Sequence, residues 1–242
     1  MQFEFGISTH CLSSTPLPEA LEMLAPLTDV VEVMDDGMHY LENVEPLLSF
    51  EFEYFLHAPS RGVNLASQLE PIRKASVEVT QECFEIAGEV GATVIVHPGY
   101  YAWEAERTQA ENRFATSLEE LRITAEELQT DFFIENMGNW PHFFLKCPDE
   151  LPLIDDQGFV LDVGHANLNG CLDEFLTVPI DHFHLHDNMG IEDTHSAIGE
   201  GIIDFGPVLE AMERNDAMPI IEVDSLPGVM KSIEALKTMK SA

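Results

Sequence analysis

The sequence predicts a closed (β/α)8 barrel, and three observations predict it. Eight short apolar segments of strand length alternate along the chain with amphipathic segments of helix length. That alternation is the pattern of parallel strands joined by crossover connections. The chain has 242 residues, close to the ~250 over which this barrel commonly forms one domain. No GxGxxG follows the first apolar segment, so a doubly wound open sheet lacks its nucleotide-binding fingerprint. There is no interdomain linker or low-complexity stretch, and residues 1–242 are read as a single domain.

The elements follow in order. Residues 3–9 (FEFGIST) read as the first strand, and 17–27 have helical spacing with Pro16 and Pro18 near the start. Residues 30–34 form a short apolar strand, a helix is expected over 40–48, and 54–57 form the third strand. Residues 71–90 read as a long amphipathic helix with Gly91 as its C-cap. Strand four spans 93–97 (TVIVH), stopped by Pro98-Gly99, and a Glu-rich helix spans 103–128. Strands five to eight are 132–136 (FFIEN), 158–162 (GFVLD), 180–186 and 219–223 (PIIEV). Segments near 172–176, 207–214 and 229–240 supply the remaining helices.

Charge and cysteine content limit the function classes. Lys and Arg total 11 against 44 Asp and Glu, a formal net charge of −33. A surface this negative repels polyanions, and the chain has few cations for phosphate contacts, so nucleic acid is not an expected partner. Four widely spaced cysteines (Cys11, Cys83, Cys147, Cys171) form no CxxC and are read as free thiols in a reducing compartment. No uninterrupted apolar run is long enough for a membrane span, and the N-terminal residues lack a basic signal-peptide region. The expected location is cytoplasmic.

The chemistry is carried by the strand ends. In 181–188 (DHFHLHDN) alternation places His182, His184 and His186 on one face, and neutral imidazole is a common ligand for divalent metals. Strand three ends in His57, four in His97, five in Glu135, six in Asp162, seven in His184 and eight in Glu222. Two residues back along those strands stand Phe55, Ile95, Phe133, Val160, His182 and Ile220, apolar except for His182. An apolar layer below and a polar layer above is what a barrel requires when its chemistry lies at the C-terminal mouth. Strands also end in polar residues simply on reaching water, but six ends drawn only from His, Asp and Glu fit that poorly. His165, three residues after Asp162, joins the set, as do Asp193 and His195 in the loop after strand seven. Mixed imidazole and carboxylate donors suit zinc, manganese or iron better than magnesium or calcium. A purely structural metal would need a closed four-ligand shell, which donors spread around an open mouth do not make.

These segments also resemble a known superfamily. HAPSRGVNL at 57–65, VIVHPG at 94–99, IENMGN at 134–139, LDVGHAN at 161–167, HLHDN at 184–188, DTHSAIGEGIIDF at 193–205 and PIIEV at 219–223 are similar, in order, to motifs of the xylose isomerase-like TIM barrels. That superfamily holds sugar phosphate isomerases and epimerases and, as AP endonuclease family 2, endonuclease IV. The isomerase resemblance implies one divalent metal, often manganese, on Glu135, Asp162, His184 and Glu222. The endonuclease IV resemblance implies three zinc ions on His57, His97, Glu135, Asp162, His165, His184, Asp193, His195 and Glu222.

A metal-dependent sugar or sugar phosphate isomerase or epimerase is therefore expected, with a sugar or polyol as substrate. Glu135 and Glu222 would exchange the proton as acid/base pair, with His165 in the catalytic set. His186, Arg61 and Glu32 are the candidate substrate contacts. The alternative is an endonuclease IV-like zinc phosphoesterase, although Arg61 is the only cation next to a motif. With all nine donors present, more than one zinc or manganese ion per chain is expected.

Overall fold

The computed structural model describes residues 5–239. Eight parallel strands close into a barrel in the order β1-β2-β3-β4-β5-β6-β7-β8. They are β1 (Gly6–Ser8), β2 (Val30–Met34), β3 (Glu53–His57), β4 (Thr93–Val96), β5 (Phe132–Glu135), β6 (Gly158–Asp162), β7 (His182–Leu185) and β8 (Met218–Ile221). Closure comes from parallel pairing of β1 with β8, Gly6 opposite Ile220 and Ile7 opposite Ile221. The start of the first expected strand, residues 3 and 4, lies outside the described residues, as does position 240 of the last expected helix.

The helices are α1 (Leu17–Leu24), α2 (Glu70–Val90), α3 (Arg107–Leu128), α4 (Val163–Asn169), α5 (Leu172–Phe175), α6 (Phe205–Asn215) and α7 (Leu226–Met239). α2 stops at Gly91, which takes the left-handed conformation at φ 69° as a C-cap glycine can. The expected helix over 40–48 does not form. Its segment contains Pro46, which has no N–H to donate and would crowd the carbonyl four residues earlier. Only the short 3-10 turns Gly37–His39 and Leu47–Ser49 appear there, and the Asp35 carboxylate takes the Leu41 N–H at 2.6 Å. The helix expected from 103 begins at Arg107, after a 3-10 turn over Glu104–Glu106.

Two layers of core follow from the strand alternation. Side chains facing outward, such as Val31, Leu56, Val94, Ile134, Leu161, Phe183 and Ile221, pack in the large cluster that the helices cover. Inside the barrel Val30, Phe55, Ile95, Val160 and Ile220 form a second cluster, with Phe133 and Met218 against it. Five of the six residues expected below the polar strand ends thus fill the interior as an apolar plug. The polar ends stand above that plug.

Two cysteines depart from expectation. Cys147, before the turn Pro148–Leu153, and Cys171, just after α4, are joined in a disulfide with Cα atoms 5.6 Å apart. The two are 24 residues apart in sequence, and only the packing of the loop after β5 against the end of α4 brings them together. Cys11 and Cys83 are buried free thiols, as expected. Among the described residues no helix is long and apolar enough to cross a membrane.

Candidate metal centre

The C-terminal mouth gathers all nine expected donors. His57, Glu135 and Asp162 are the last residues of β3, β5 and β6, and His184 is the penultimate residue of β7. His97 and Glu222 directly follow β4 and β8, while His165 stands in α4 and Asp193 and His195 in the loop after β7. Their ligand atoms, joined by that of His186, fall into three sets, within each of which all lie no more than 4.8 Å apart, and a fourth set of Glu32, His182 and His184 lies deeper. One set is His57, His97 and Glu135; a second is Glu135, Asp162, His184 and Glu222; a third is His165, His186, Asp193 and His195. Glu135 is shared by the first two. The cavity above them has a volume of about 670 Å³.

Local backbone chemistry holds the donors in place. Asp162 caps α4, its Oδ1 accepting the His165 N–H at 2.6 Å, so one carboxylate fixes the helix that carries the next donor. Asn136, just past β5, brackets Asp162, its side chain accepting the Asp162 N–H and donating to the Asp162 carbonyl at 2.7 and 3.0 Å. The loop after β7 is tied by Asp187, a wholly buried carboxylate. Asp187 accepts the N–H groups of Asn188 (2.9 Å), Gly199 (3.0 Å), Gly201 (2.9 Å) and Ile203 (3.2 Å).

The hydrogen-bond pattern fits a divalent cation. His57, His165 and His195 each place Nδ1 against a backbone carbonyl, of Ala58, Asn136 and Glu222, at 2.9, 2.9 and 3.0 Å. A carbonyl only accepts, so Nδ1 carries the proton and Nε2 presents its lone pair in the neutral ring. Yet His57 Nε2 lies 3.1 Å from His97 Nε2 and 3.2 Å from Glu135 Oε2. Such a convergence needs a hydrogen or a metal ion among the three atoms: an N–H on His97 Nε2, or a divalent cation in its place. His184 Nδ1 is buried without a hydrogen-bond partner, 3.3 Å from both Glu135 Oε1 and Glu222 Oε2 and 4.0 Å from Asp162 Oδ2. Three buried carboxylates around one imidazole nitrogen make a donor set of the kind zinc and manganese accept.

Without metal, protons play the cation's part. Burial would lower the His57 pKa, but the Glu135, Glu222 and Glu32 carboxylates outweigh it and raise it to about 9. The same opposition, with Asp193 and Glu222 as the main carboxylates, raises His195 to about 9. His165 and His184 are pushed well above the ordinary imidazole value against their burial, by Asp162, Asp193 and Glu135 and by Glu32, Glu222 and Glu135 respectively. Burial favours the neutral acid at Glu135, but His184, His97 and His165 outweigh it and hold the carboxyl well below its usual range.

The three expected substrate contacts separate. Arg61 lines the cavity at an exposed position, on the loop after β3. His186 is wholly buried behind Asp162, to which Nε2 donates at 3.0 Å, and its ring lies 4.0 Å from that of His195. Its close neighbour is Gly164, where a Cβ would stand 1.9 Å from His186 Cε1. Gly164→Ala is therefore expected to lower the melting temperature by about 2–12 °C, read by circular dichroism; an unchanged melt would show that His186 can move aside. Glu32 does not reach the cavity. β2 continues two residues beyond it to Met34, and Glu32 pairs with Phe55, at the level of the apolar plug.

Cavity-lining residues that the strand-end argument missed include His10, Asp36, Tyr100 and Trp140. His10 sits in the turn after β1, 3.3 Å from Asp224 and with its ring 4.7 Å from that of His195. Tyr100 and Trp140 meet edge to face at 5.4 Å on the opposite wall. All four lie on loops, where strand periodicity carries no signal.

A closed barrel with nine clustered histidines and carboxylates at its C-terminal mouth defines a metal-binding barrel enzyme. The chain belongs to the xylose isomerase-like TIM barrel family (AP endonuclease family 2), which matches residues 39–241. It is similar to the uncharacterized protein MJ1614 of Methanocaldococcus jannaschii, with 34% identity over 96% of this chain and 95% of that one. It is also similar to the probable endonuclease 4 of Mycobacterium marinum, with 28% identity over 74% of this chain and 76% of the other. Among solved structures, a D-tagatose 3-epimerase-like protein matches at TM-score 0.91 and 31% identity, covering 99% of this chain and 97% of that one.

Proposed function

We propose that the protein is a metal-dependent sugar isomerase or epimerase in which Glu135 and Glu222 form the acid/base pair. The observation that carries this reading is the pair itself. Glu135 Oε1 and Glu222 Oε2 each lie 3.3 Å from His184 Nδ1, both carboxylates line the cavity, and they come from strands on different sides of β7. One carboxylate takes the proton from the carbon next to the carbonyl, and the bonding electrons move onto the carbonyl oxygen. The other returns a proton to the opposite face of that carbon for epimerisation, the electrons on the oxygen re-forming the carbonyl. For isomerisation a proton goes to the former carbonyl carbon, while the neighbouring hydroxyl passes its own proton to the negative oxygen and becomes the new carbonyl. Glu135, Asp162, His184 and Glu222 would hold a divalent ion, which would supply positive charge for the oxygen that becomes negative. His165 and His10 line the same cavity and are placed to hold hydroxyls, and Tyr100 and Trp140 offer an aromatic wall to the apolar face of a sugar. The full-length likeness to the D-tagatose 3-epimerase-like protein supports the reading.

Incubation with a panel of ketoses in deuterated water tests it. Metal-dependent deuterium incorporation beside the carbonyl, abolished by EDTA, is expected. No exchange across the panel, together with efficient nicking of abasic duplex DNA, would transfer the assignment to a phosphoesterase.

The phosphoesterase reading has its own support in the three donor sets and in the similarity to probable endonuclease 4. Against it stand the net charge of −33 and a cavity whose only Lys or Arg among the described lining residues is Arg61. Metal count separates the two. We infer that the chain takes up more than one ion when zinc is in excess, because His57, His97 and Glu135 form a donor set of their own. An ion there would occupy Glu135 Oε2, the oxygen that faces His57 and His97 at 3.2 and 3.0 Å, and remove Glu135 from proton transfer. Excess zinc is therefore expected to inhibit isomerisation, and His57→Ala with His97→Ala to relieve the inhibition and lower the zinc count measured by elemental analysis. A phosphoesterase would instead gain activity with each added ion and lose it in that double variant.

A further inference from the structure

Beneath the donor sets lies a carboxylate that proton transfer does not use. Glu32, on β2, is wholly buried and is absent from the cavity lining. Its Oε2 accepts from His182 Nε2 at 3.1 Å and from His184 Nε2 at 3.2 Å, and its Oε1 lies 3.1 Å from the same His184 nitrogen. The His182 ring packs on Phe55 at 4.5 Å, within the apolar plug. Burial of a carboxylate this deep is costly unless it is hydrogen-bonded, and the two imidazoles outweigh that cost enough to hold its pKa below the usual range. Burial favours the neutral form of His182, whose Nδ1 has no partner.

The consequence is an inverted histidine. His57, His165 and His195 give their Nδ1 protons to backbone carbonyls and turn Nε2 toward the metal centre. His184 does the reverse, with Nε2 bound to Glu32 and Nδ1 aimed at Glu135, Asp162 and Glu222. Those three carboxylates would draw the ring's proton to Nδ1 and so block its lone pair. Glu32 opposes them from the other end of the ring.

We propose that Glu32 is the positioning residue that holds the His184 proton on Nε2, leaving Nδ1 as the metal-binding nitrogen, and that His182 serves to solvate Glu32 in the plug. A carboxylate behind a ligating imidazole also raises its basicity toward the metal, and loss of such a partner typically weakens metal binding about 10- to 100-fold. The proposal rests on His184 being a metal ligand, and its test has arms that do and do not need the metal.

Nitrogen-15 histidine spectra of the zinc-loaded protein should show His184 protonated at Nε2 and metal-bound at Nδ1. In either metal state, two low-field imidazole N–H signals should report His182 and His184 bonded to Glu32. Glu32→Leu should lose both signals and bind zinc about 10- to 100-fold more weakly in chelator competition. Glu32→Gln, which keeps one oxygen acceptor, should fall between. His182→Phe, which leaves the Glu32–His184 bond intact, should keep zinc affinity within about threefold of the parent. Where Glu32→Leu alone leaves two buried imidazoles unpaired and fails to fold, Glu32→Leu with His182→Phe restores an apolar interior and reads the same affinity loss. Parental zinc affinity in a folded Glu32→Leu variant, single or combined, overturns the proposal, as does absence of the low-field pair in the parent protein. Failure of the parent to bind zinc with the low-field pair present would instead overturn the metal-centre reading and leave the Glu32 geometry standing.

Discussion

Glu222→Gln is expected to lower kcat by roughly a hundredfold to ten-thousandfold and to abolish deuterium exchange beside the substrate carbonyl, the scale lost when a positioned acid/base is removed. The substitution is nearly isosteric. Glu222 Oε1 takes only the Ser8 hydroxyl, at 3.3 Å, and a glutamine oxygen can accept that bond equally. The four imidazoles around Glu135 stay where they are. Glu222 also belongs to the metal donor set and raises the pKa of the neighbouring imidazoles, so turnover is compared at saturating metal. A drop in kcat in a folded variant whose metal content equals the parent's assigns proton transfer to Glu222. Retention of more than about a tenth of parental turnover would remove Glu222 from the acid/base pair.

The second large effect is in the pH dependence of stability, and its sign depends on metal. In the metal-free protein His57 and His195 titrate at about 9, above the ordinary value of 6.5. A histidine whose folded pKa is raised stabilises the fold fully below its unfolded pKa, and that contribution is lost as pH rises through its folded pKa. Metal-free protein should therefore lose stability between about pH 6.5 and 9, by on the order of 5–10 °C in melting temperature. Carboxylates act in the opposite sense. Glu135, Asp162 and Asp193 are held below their ordinary values, so their contribution is present above the unfolded carboxylate pKa and is lost as pH falls toward their folded pKa. The metal-free optimum thus falls between pH 5 and 6.5. Zinc displaces the histidine protons, so in saturating zinc the alkaline loss should disappear and the optimum move upward. Thermal melts across pH with EDTA and with zinc check both limbs. An alkaline loss that persists in saturating zinc would mean that these imidazoles bind protons but not metal.

Much of this was legible in the residues. Parallel strands of three to five residues in a closed barrel end at one rim, so a donor that closes an apolar run is placed by the run itself. His57, Glu135 and Asp162 needed nothing more. His97 and Glu222 fall just past their strands and His184 just short of its end, shifts too small to move a donor off the rim. Glu32 was misplaced for a related reason. Its strand runs on through Val33 and Met34, so it stands one layer deeper than a true strand end, and only the pairing of Glu32 with Phe55 shows that depth. α4 was missed because its seven residues are too few for helical periodicity, although Asp162 before it and Gly170 after it are ordinary cap residues. The Cys147–Cys171 disulfide and the aromatic wall arise between loops distant in sequence, where neither spacing nor alternation carries information.

The four backbone bonds to Asp187 have a consequence for how such a site can be altered. They grip the loop at Asn188 on one side and at Gly199, Gly201 and Ile203 on the other, and the bridge between Asp187 and Ser196 adds a clasp beside His195. Met189 and Ile191 lie between these anchors with their side chains exposed. A segment pinned at both ends can change its exposed side chains without retuning the scaffold, provided the backbone contacts of Gly190 and of the Ile191 carbonyl, which takes the Asn139 amide at 3.3 Å, are kept. Exchange of the exposed side chains at Met189 and Ile191, with Gly190 kept for its φ of 74°, is then expected to leave the cluster of donors intact.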